Sequence, residues 1–250
     1  ADVVAADRKE IASFVTHGVW KLKHQSSATS RPMSCVWIRK WKKKLDETTM
    51  TYIYIIKSRL CVRGFLDPQK FMLSTHSSTA TRMSQKMLIS NAANFSWFME
   101  SWDVSCAFLQ GLSFDEIEKM CHELGVPLPE VKREVHIALP SNVWFHLRAI
   151  GFVSQTLDVT LFVIELLKAM YGLNDAPLLW QLCLRYFFVK HTGALISVFD
   201  DNYYYWRYDG HLQGEATAHV DDGNYSGSQE HLDWLRQQLE KRFGKVSRQQ

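Results

Sequence analysis

Two pairs of adjacent aspartates stand out, Asp200 with Asp201 and Asp221 with Asp222. Neighbouring carboxylates repel, so each pair needs a cation, a turn or solvent beside it. Asp221 and Asp222 follow a predicted apolar strand over 216–220 and precede Gly223, so Asp222-Gly223 reads as a turn. A hairpin tip projects two carboxylates at one point. Magnesium takes oxygen ligands of that kind, usually one or two carboxylates with substrate phosphates. Asp200 and Asp201 precede an aromatic strand without a tight turn and read as a loop or a cap. An isolated Asp-Asp-Gly is more often a turn than a metal site. A third carboxylate adds weight. Asp103 stands in WFMESWDVSCAFLQGL (97–112), read as an apolar strand that breaks at Gly111. A charge inside such a strand is expensive unless paired or metal-bound. Asp103, Asp221 and Asp222 would form a cluster from two neighbouring strands. Two metal ions held there could activate an attacking 3′-hydroxyl and stabilise a pyrophosphate leaving group.

A second group is cationic. In TYIYIIKSRLCVRGF (51–65), strand alternation places Lys57, Arg59, Cys61 and Arg63 on one face and Ser58, Leu60 and Val62 on the other. Three cations on one face make a phosphate shelf, or a solvated edge strand that uses charge against aggregation. The wider balance is uneven. Residues 1–63 hold 13 Lys and Arg against 5 Asp and Glu, and residues 64–250 hold 16 against 21. A basic part and an acidic part suit a protein holding a polyanion with one and metal ions with the other. Solvated faces would give the same counts.

The elements that must position these groups follow from periodicity. Helices are expected over 7–19, 81–97 (with Met83, Met87 or Leu88, and Ala92 on one side), from Ala176-Pro177 onward, and over 229–243. The third would bury Leu179, Cys183, Tyr186 and Phe187. The last has Ser228 as N-cap, a Leu232, Leu235, Leu239 stripe and Gly244 at its end. Strands are expected over 36–45 and 51–65, a hairpin turns at Asp209-Gly210, and 216–220 forms a further strand. Residues 20–33 and 66–79 read as loops, and 112–160 as a partly helical insertion. Strand pairs flanked by helices indicate an α+β class with an antiparallel sheet.

Composition narrows the class. The 250 residues are 46% hydrophobic and 22% charged, an ordinary globular balance that argues against disorder, collagen and disulfide miniproteins. Five scattered cysteines without a CxxC pair indicate a reducing compartment and no structural zinc site. The longest apolar stretch, 159–167, is too short for a membrane span and contains Glu165. The first ten residues carry no secretion signal and no initiator Met, so the chain reads as a candidate piece of something longer.

Four stretches together resemble the reverse transcriptase of Ty1/copia-type retrotransposon Pol polyproteins. They are KSRLCVRGF (57–65), DVSCAFLQG (103–111), LLKAMYGLNDAP (166–177) followed by Trp180, and HVDDGNYSG (219–227). Their order matches the family's, and the resemblance spans about residues 5–245. It implies a right-hand polymerase fold: fingers over 1–80, palm over 81–112, fingers with a variable insertion over 113–175, and palm over 176–250, with the thumb absent or truncated. It implies RNA-directed DNA polymerisation with two magnesium ions, manganese being the alternative. Asp103, Asp221 and Asp222 would be catalytic metal ligands, with the Val104 carbonyl as a further ligand. Phe108 would exclude a 2′-hydroxyl, its other reading being a core aromatic. Tyr171 and Gly172 would line the incoming nucleotide, and Lys57, Arg59 and Arg63 would be fingers cations. The implied partners are an RNA or DNA template with primer, deoxynucleoside triphosphates and the remainder of the Pol polyprotein, with no membrane. The implied place is intracellular, in the cytoplasm or a virus-like particle.

Departures from the family pattern keep a second reading open, a decayed or truncated remnant that only binds nucleic acid. His219 replaces the family's Tyr, and Asn174-Asp175 replaces Lys-Gln, with Leu178 in place of Arg. These changes remove two cations and add an anion beside the expected nucleotide. A two-metal nuclease or integrase core fits less well, since two of the carboxylates are adjacent and no helical Glu suggests itself.

Overall fold

The computed structural model describes residues 2–46, 48–129 and 131–249. In chain order the elements are α1 (Asp2–Thr16), β1 (Trp20–His24), β2 (Met33–Asp46), β3 (Thr51–Val62), α2 (Arg82–Phe95), β4 (Phe98–Asp103), α3 (Phe114–Leu124) and β5 (Val135–Ala138). Then follow α4 (Ser141–Ala149), β6 (Phe162–Leu166), α5 (Ala176–Tyr186), β7 (Leu195–Ile196), β8 (Tyr203–Tyr208), β9 (His211–His219), β10 (Asp222–Gly227), α6 (Gln229–Phe243) and β11 (Ser247–Gln249). The class is α+β. The chain divides into two compact units, residues 1–74 with 112–176, and residues 75–111 with 177–250. Among the described residues, no helix is long and apolar enough to cross a membrane.

The first unit is built on a sheet of order β1-β6-β5-β2-β3, antiparallel except where Met33 and Ser34 of β2 run parallel to Ile137 and Ala138. Beyond that junction β2 and β3 continue as a ribbon, from Cys35 opposite Val62 to Asp46 opposite Thr51. Helix α1 lies against β3, burying Ile11 and Phe14, and Phe14 stacks on Trp20 at 4.4 Å between ring centroids. Asp7 on this helix is buried. It accepts from Arg39 at 2.7 and 3.0 Å and from Ser58 Oγ at 2.6 Å. Burial alone would raise its carboxyl, but these hydrogen bonds outweigh burial and hold it below the usual range. Glu10, one turn on, accepts from the Leu60 N–H at 3.2 Å, and burial pushes its carboxyl up to about 7.

Two expectations change here. Residues 20–24 are strand β1 rather than loop, because alternation places Trp20 inside and lets Lys23 meet Glu165 at 3.1 Å across the β1–β6 pair. The Ser/Thr-rich run that follows hides this short strand. Segment 112–160 is more than an insertion, since its strand β5 sits inside the sheet between β6 and β2. Its helix α3 opens with a Ser113–Glu116 capping box and closes at Gly125.

The second unit is an antiparallel sheet of order β11-β4-β10-β9-β8-β7, with α2 against β9 and β10 and α6 against β4, β9 and β10. Helix α6 carries the expected stripe, N-cap and terminal glycine. Its Arg236 reaches the buried Glu100 of β4 at 3.0 Å, and the Tyr225 hydroxyl donates to the same carboxylate. On α2 the buried stripe is Ser84, Leu88 and Ala92, while Met83 and Met87 are exposed. Asp200 holds Ser84 on that face: it accepts from Thr81 N at 2.8 Å and from the Ser84 hydroxyl. The first aspartate pair thus supplies a cap. Helix α5 buries Trp180, Cys183 and Leu184, with Leu179 only half-buried. Strand β9 is one continuous element, so the return strand of the first hairpin and the strand expected over 216–220 are the same.

Candidate functional site

The carboxylate site grows from the β9–β10 hairpin. Its two turn residues are Val220 and Asp221, and Asp222 already lies in β10, opposite both His219 and Asp103. The turn therefore comes two residues before the expected one. Asp222-Gly223 is strand because the glycine is needed for space: a Cβ on Gly223 would stand 2.2 Å from Thr217 O and 2.5 Å from the Trp102 ring. Val220 takes the left-handed conformation instead, at φ +55°. A β-branched residue there is strained, a condition that persists only where the surroundings fix it. Both turn carbonyls are held. Trp180 Nε1 donates to Val220 O at 2.6 Å, and Val104 N donates to Asp221 O at 2.8 Å.

Asp103 closes β4 and is exposed, so the expected cost of a carboxylate inside an apolar strand does not arise. Gly111 is not the break, since the strand ends at Asp103 and a single 3-10 turn spans Ala107–Gln110. Asp222 is exposed and Asp221 half-buried. His219 Nδ1 stands 3.3 Å from Asp222 Oδ1. Strand register thus brings Asp103, Asp221 and Asp222 to one end of β4 and β10. Their side chains are not gathered: among the described residues no group of three or more His, Cys, Asp or Glu is close enough to hold a metal ion. In donor type the three fit a hard divalent cation, being carboxylates without a thiol. Val104 is buried, and Phe108 is half-buried in the turn after β4. Gln110 ties that turn to the end of α6, donating to Phe243 O at 3.0 Å.

The first unit holds the other candidates. Lys57, Arg59 and Arg63 are exposed, while Ser58, Leu60 and Val62 are buried, as alternation requires. The β2–β3 register adds what the sequence did not reveal. Lys40 pairs with Lys57, and Ile38 with Arg59, so Lys40, Lys42 and Lys44 share the face of Lys57 and Arg59. The turn bearing Tyr171 and Gly172 lies against the end of β3. Val62 N donates to Tyr171 O at 2.8 Å, and the Arg59 guanidinium lies 5.0 Å from the Tyr171 ring centroid. Gly172 has φ +94°, and a Cβ on it would meet Val62 O at 2.0 Å.

Asp175 does not add an exposed anion there. It is buried, with Arg133 Nε 2.8 Å from its Oδ2. Burial pushes its carboxyl up against the opposing pull of Arg133. Sequence reading passed over Arg133, because an Arg between Lys132 and Glu134 looks like any solvated charge run.

No family model matches the chain. Curated relatives do. The chain is 25% identical over 191 residues to the Retrovirus-related Pol polyprotein from transposon TNT 1-94 of Nicotiana tabacum, covering 76% of this chain and 12% of that protein. It is 27% and 26% identical to those from transposons RE2 and RE1 of Arabidopsis thaliana, covering 76% of this chain and 11% of each. A solved Candida albicans telomerase, in complex with a telomeric RNA fragment, superposes with TM-score 0.46 and 8% identity, over 97% of this chain and 45% of that one. That level is too low to establish a shared fold. The three curated relatives carry one description, and the chain is similar to a short stretch, 11–12% of the length, of these retrovirus-related Pol polyproteins from transposons.

Proposed function

We propose that the chain is an RNA-directed DNA polymerase domain that extends a primer on a nucleic-acid template. The second unit is its palm and the first its fingers. One observation carries the reading: Asp103 is paired in register with Asp222, beside an Asp221 whose strained turn is pinned through both of its carbonyls. Asp103, Asp221 and Asp222 would hold two magnesium ions, with the Val104 carbonyl as a further ligand. When bound, the ions supply activation of the primer 3′-hydroxyl and neutralisation of the pyrophosphate leaving group. Phe108 excludes a 2′-hydroxyl, Tyr171 and Gly172 position the incoming nucleotide, and Lys57, Arg59 and Arg63 offer cations to its phosphates. Phosphoryl transfer needs mainly positioning and charge neutralisation, and these residue types supply both. The relatives' descriptions as Pol polyproteins support the same reading.

The test is primer extension on poly(rA)/oligo(dT) with magnesium and dTTP, against an Asp221→Ala, Asp222→Ala double variant. Extension that vanishes in the variant supports the assignment, and extension that survives it sinks the assignment. A second reading, a remnant that only binds nucleic acid, draws on His219 beside Asp222 and on the ungathered carboxylates. It predicts salt-sensitive template binding with no extension.

A further inference from the structure

Among the described residues, Arg133 is the one buried lysine or arginine, and its side chain is 4% exposed. Its Nη2 donates to Asp67 Oδ2 at 2.8 Å and to Asp175 Oδ1 at 3.2 Å, its Nε stands 2.8 Å from Asp175 Oδ2, and its Nη1 donates to Gln69 Oε1 at 2.8 Å. Both carboxylates are themselves buried, with side chains 2% and 4% exposed. One planar guanidinium therefore joins three chain segments in a single fork, a geometry that an ammonium cannot reproduce.

The segments are informative. Asp67 and Gln69 follow shortly on Arg63 and Gly64, the residues that come directly after β3. Asp175 follows directly on the Tyr171-Gly172 turn. Between them the backbones touch: a Cβ on Gly64 would stand 2.2 Å from Gly172 O, and Asn174 Nδ2 donates to Gly64 O at 3.3 Å. The two glycines present no side chains of their own at this apposition, and Arg133 fastens the flanking segments from the buried side through Asp67, Gln69 and Asp175. Arg59 and Tyr171, which we assign to the nucleotide, reach solvent, and Arg133 does not.

We propose that Arg133 is a positioning residue that holds the Tyr171-Gly172 turn against the Arg59–Arg63 end of β3, so that nucleotide affinity depends on a guanidinium that touches no nucleotide. The proposal rests on the polymerase reading given above. It also gives segment 112–160 a role in the function, since that segment supplies the cation.

The experiment uses Arg133→Lys and Asp175→Asn, with Arg133→Met as the severe variant, each checked for folding by circular dichroism. On poly(rA)/oligo(dT) with magnesium, kcat and KM for dTTP are measured, along with dTTP Kd by equilibrium dialysis and primer–template Kd. Folded variants are expected to raise KM and Kd for dTTP about tenfold, with kcat within about threefold and primer–template Kd within about twofold of wild type. Unchanged dTTP affinity in folded variants overturns the proposal alone. So does a fall in kcat and template affinity that merely follows the folded fraction, or a set in which none folds, since each makes Arg133 a fold residue only. A wild type that binds dTTP without extending the primer fails the polymerase reading, while its dTTP Kd still decides the role of Arg133. A wild type that neither extends nor binds dTTP overturns both.

Discussion

Gly223 illustrates how one residue type can point to the wrong cause. A glycine after two aspartates reads as a turn residue, yet its lack of a side chain makes room for Trp102 and Thr217 O. The left-handed backbone that a glycine would tolerate falls on Val220. Two opposite outcomes follow. Gly223→Ala should cost about 3 kcal/mol by overpacking and abolish extension, read from the urea midpoint and the primer assay. Val220→Gly should gain about 1 kcal/mol, since relief of a strained β-branched residue exceeds the entropic cost of glycine. An unchanged or lower midpoint for Val220→Gly would show that the valine side chain's packing outweighs its backbone strain. The carboxylates drew notice in the sequence through the adjacency of Asp221 and Asp222 and the apolar run around Asp103, and strand register sets Asp103 opposite Asp222. Arg133 was not legible, because nothing local distinguishes a buried cation whose partners lie 66 and 42 residues away.

At the scale of elements, periodicity gave the long pieces and missed those whose reason is tertiary. The Leu232, Leu235, Leu239 stripe and the caps of α6 are local features, and they hold. On helix α2 the expected Leu88 and Ala92 are buried, but Ser84 takes the place of Met83 on that face, its hydroxyl bonded to Asp200 more than a hundred residues away in sequence. The α1–β3 contact has a measurable pH signature. Glu10 is raised to about 7 in the folded chain from an ordinary value of 4.5. Its contribution is therefore fully present below pH 4.5 and lost as pH rises through about 7. Glu10→Gln should remove that loss, so the variant is the more stable above pH 7 by up to about 3 kcal/mol. Thermal melts at pH 5 and pH 8 check it, and parallel pH dependence in both proteins would refute it. Asp7 has the opposite sign. Its lowered carboxyl gives stability at neutral pH that acid removes. The β2–β3 ribbon carries its own test. Replacing Lys40, Lys42 and Lys44 with alanine should flatten the log–log salt dependence of template binding by about 2 to 3. An unchanged slope would assign those lysines to solvent.

For the whole molecule, the informative fact is the order of segments. The first unit takes residues 1–74 and 112–176, and the second takes 75–111 and 177–250. The paired strands β4 and β10 thus come from stretches that the first unit's second segment separates, as do β2 and β5 from the other side. This interleaving has a genetic consequence. A premature stop codon before residue 162 deletes strands from both sheets at once, and a stop at residue 111 leaves neither sheet its full set. Recombination at a single breakpoint cannot transplant one unit without splitting the other.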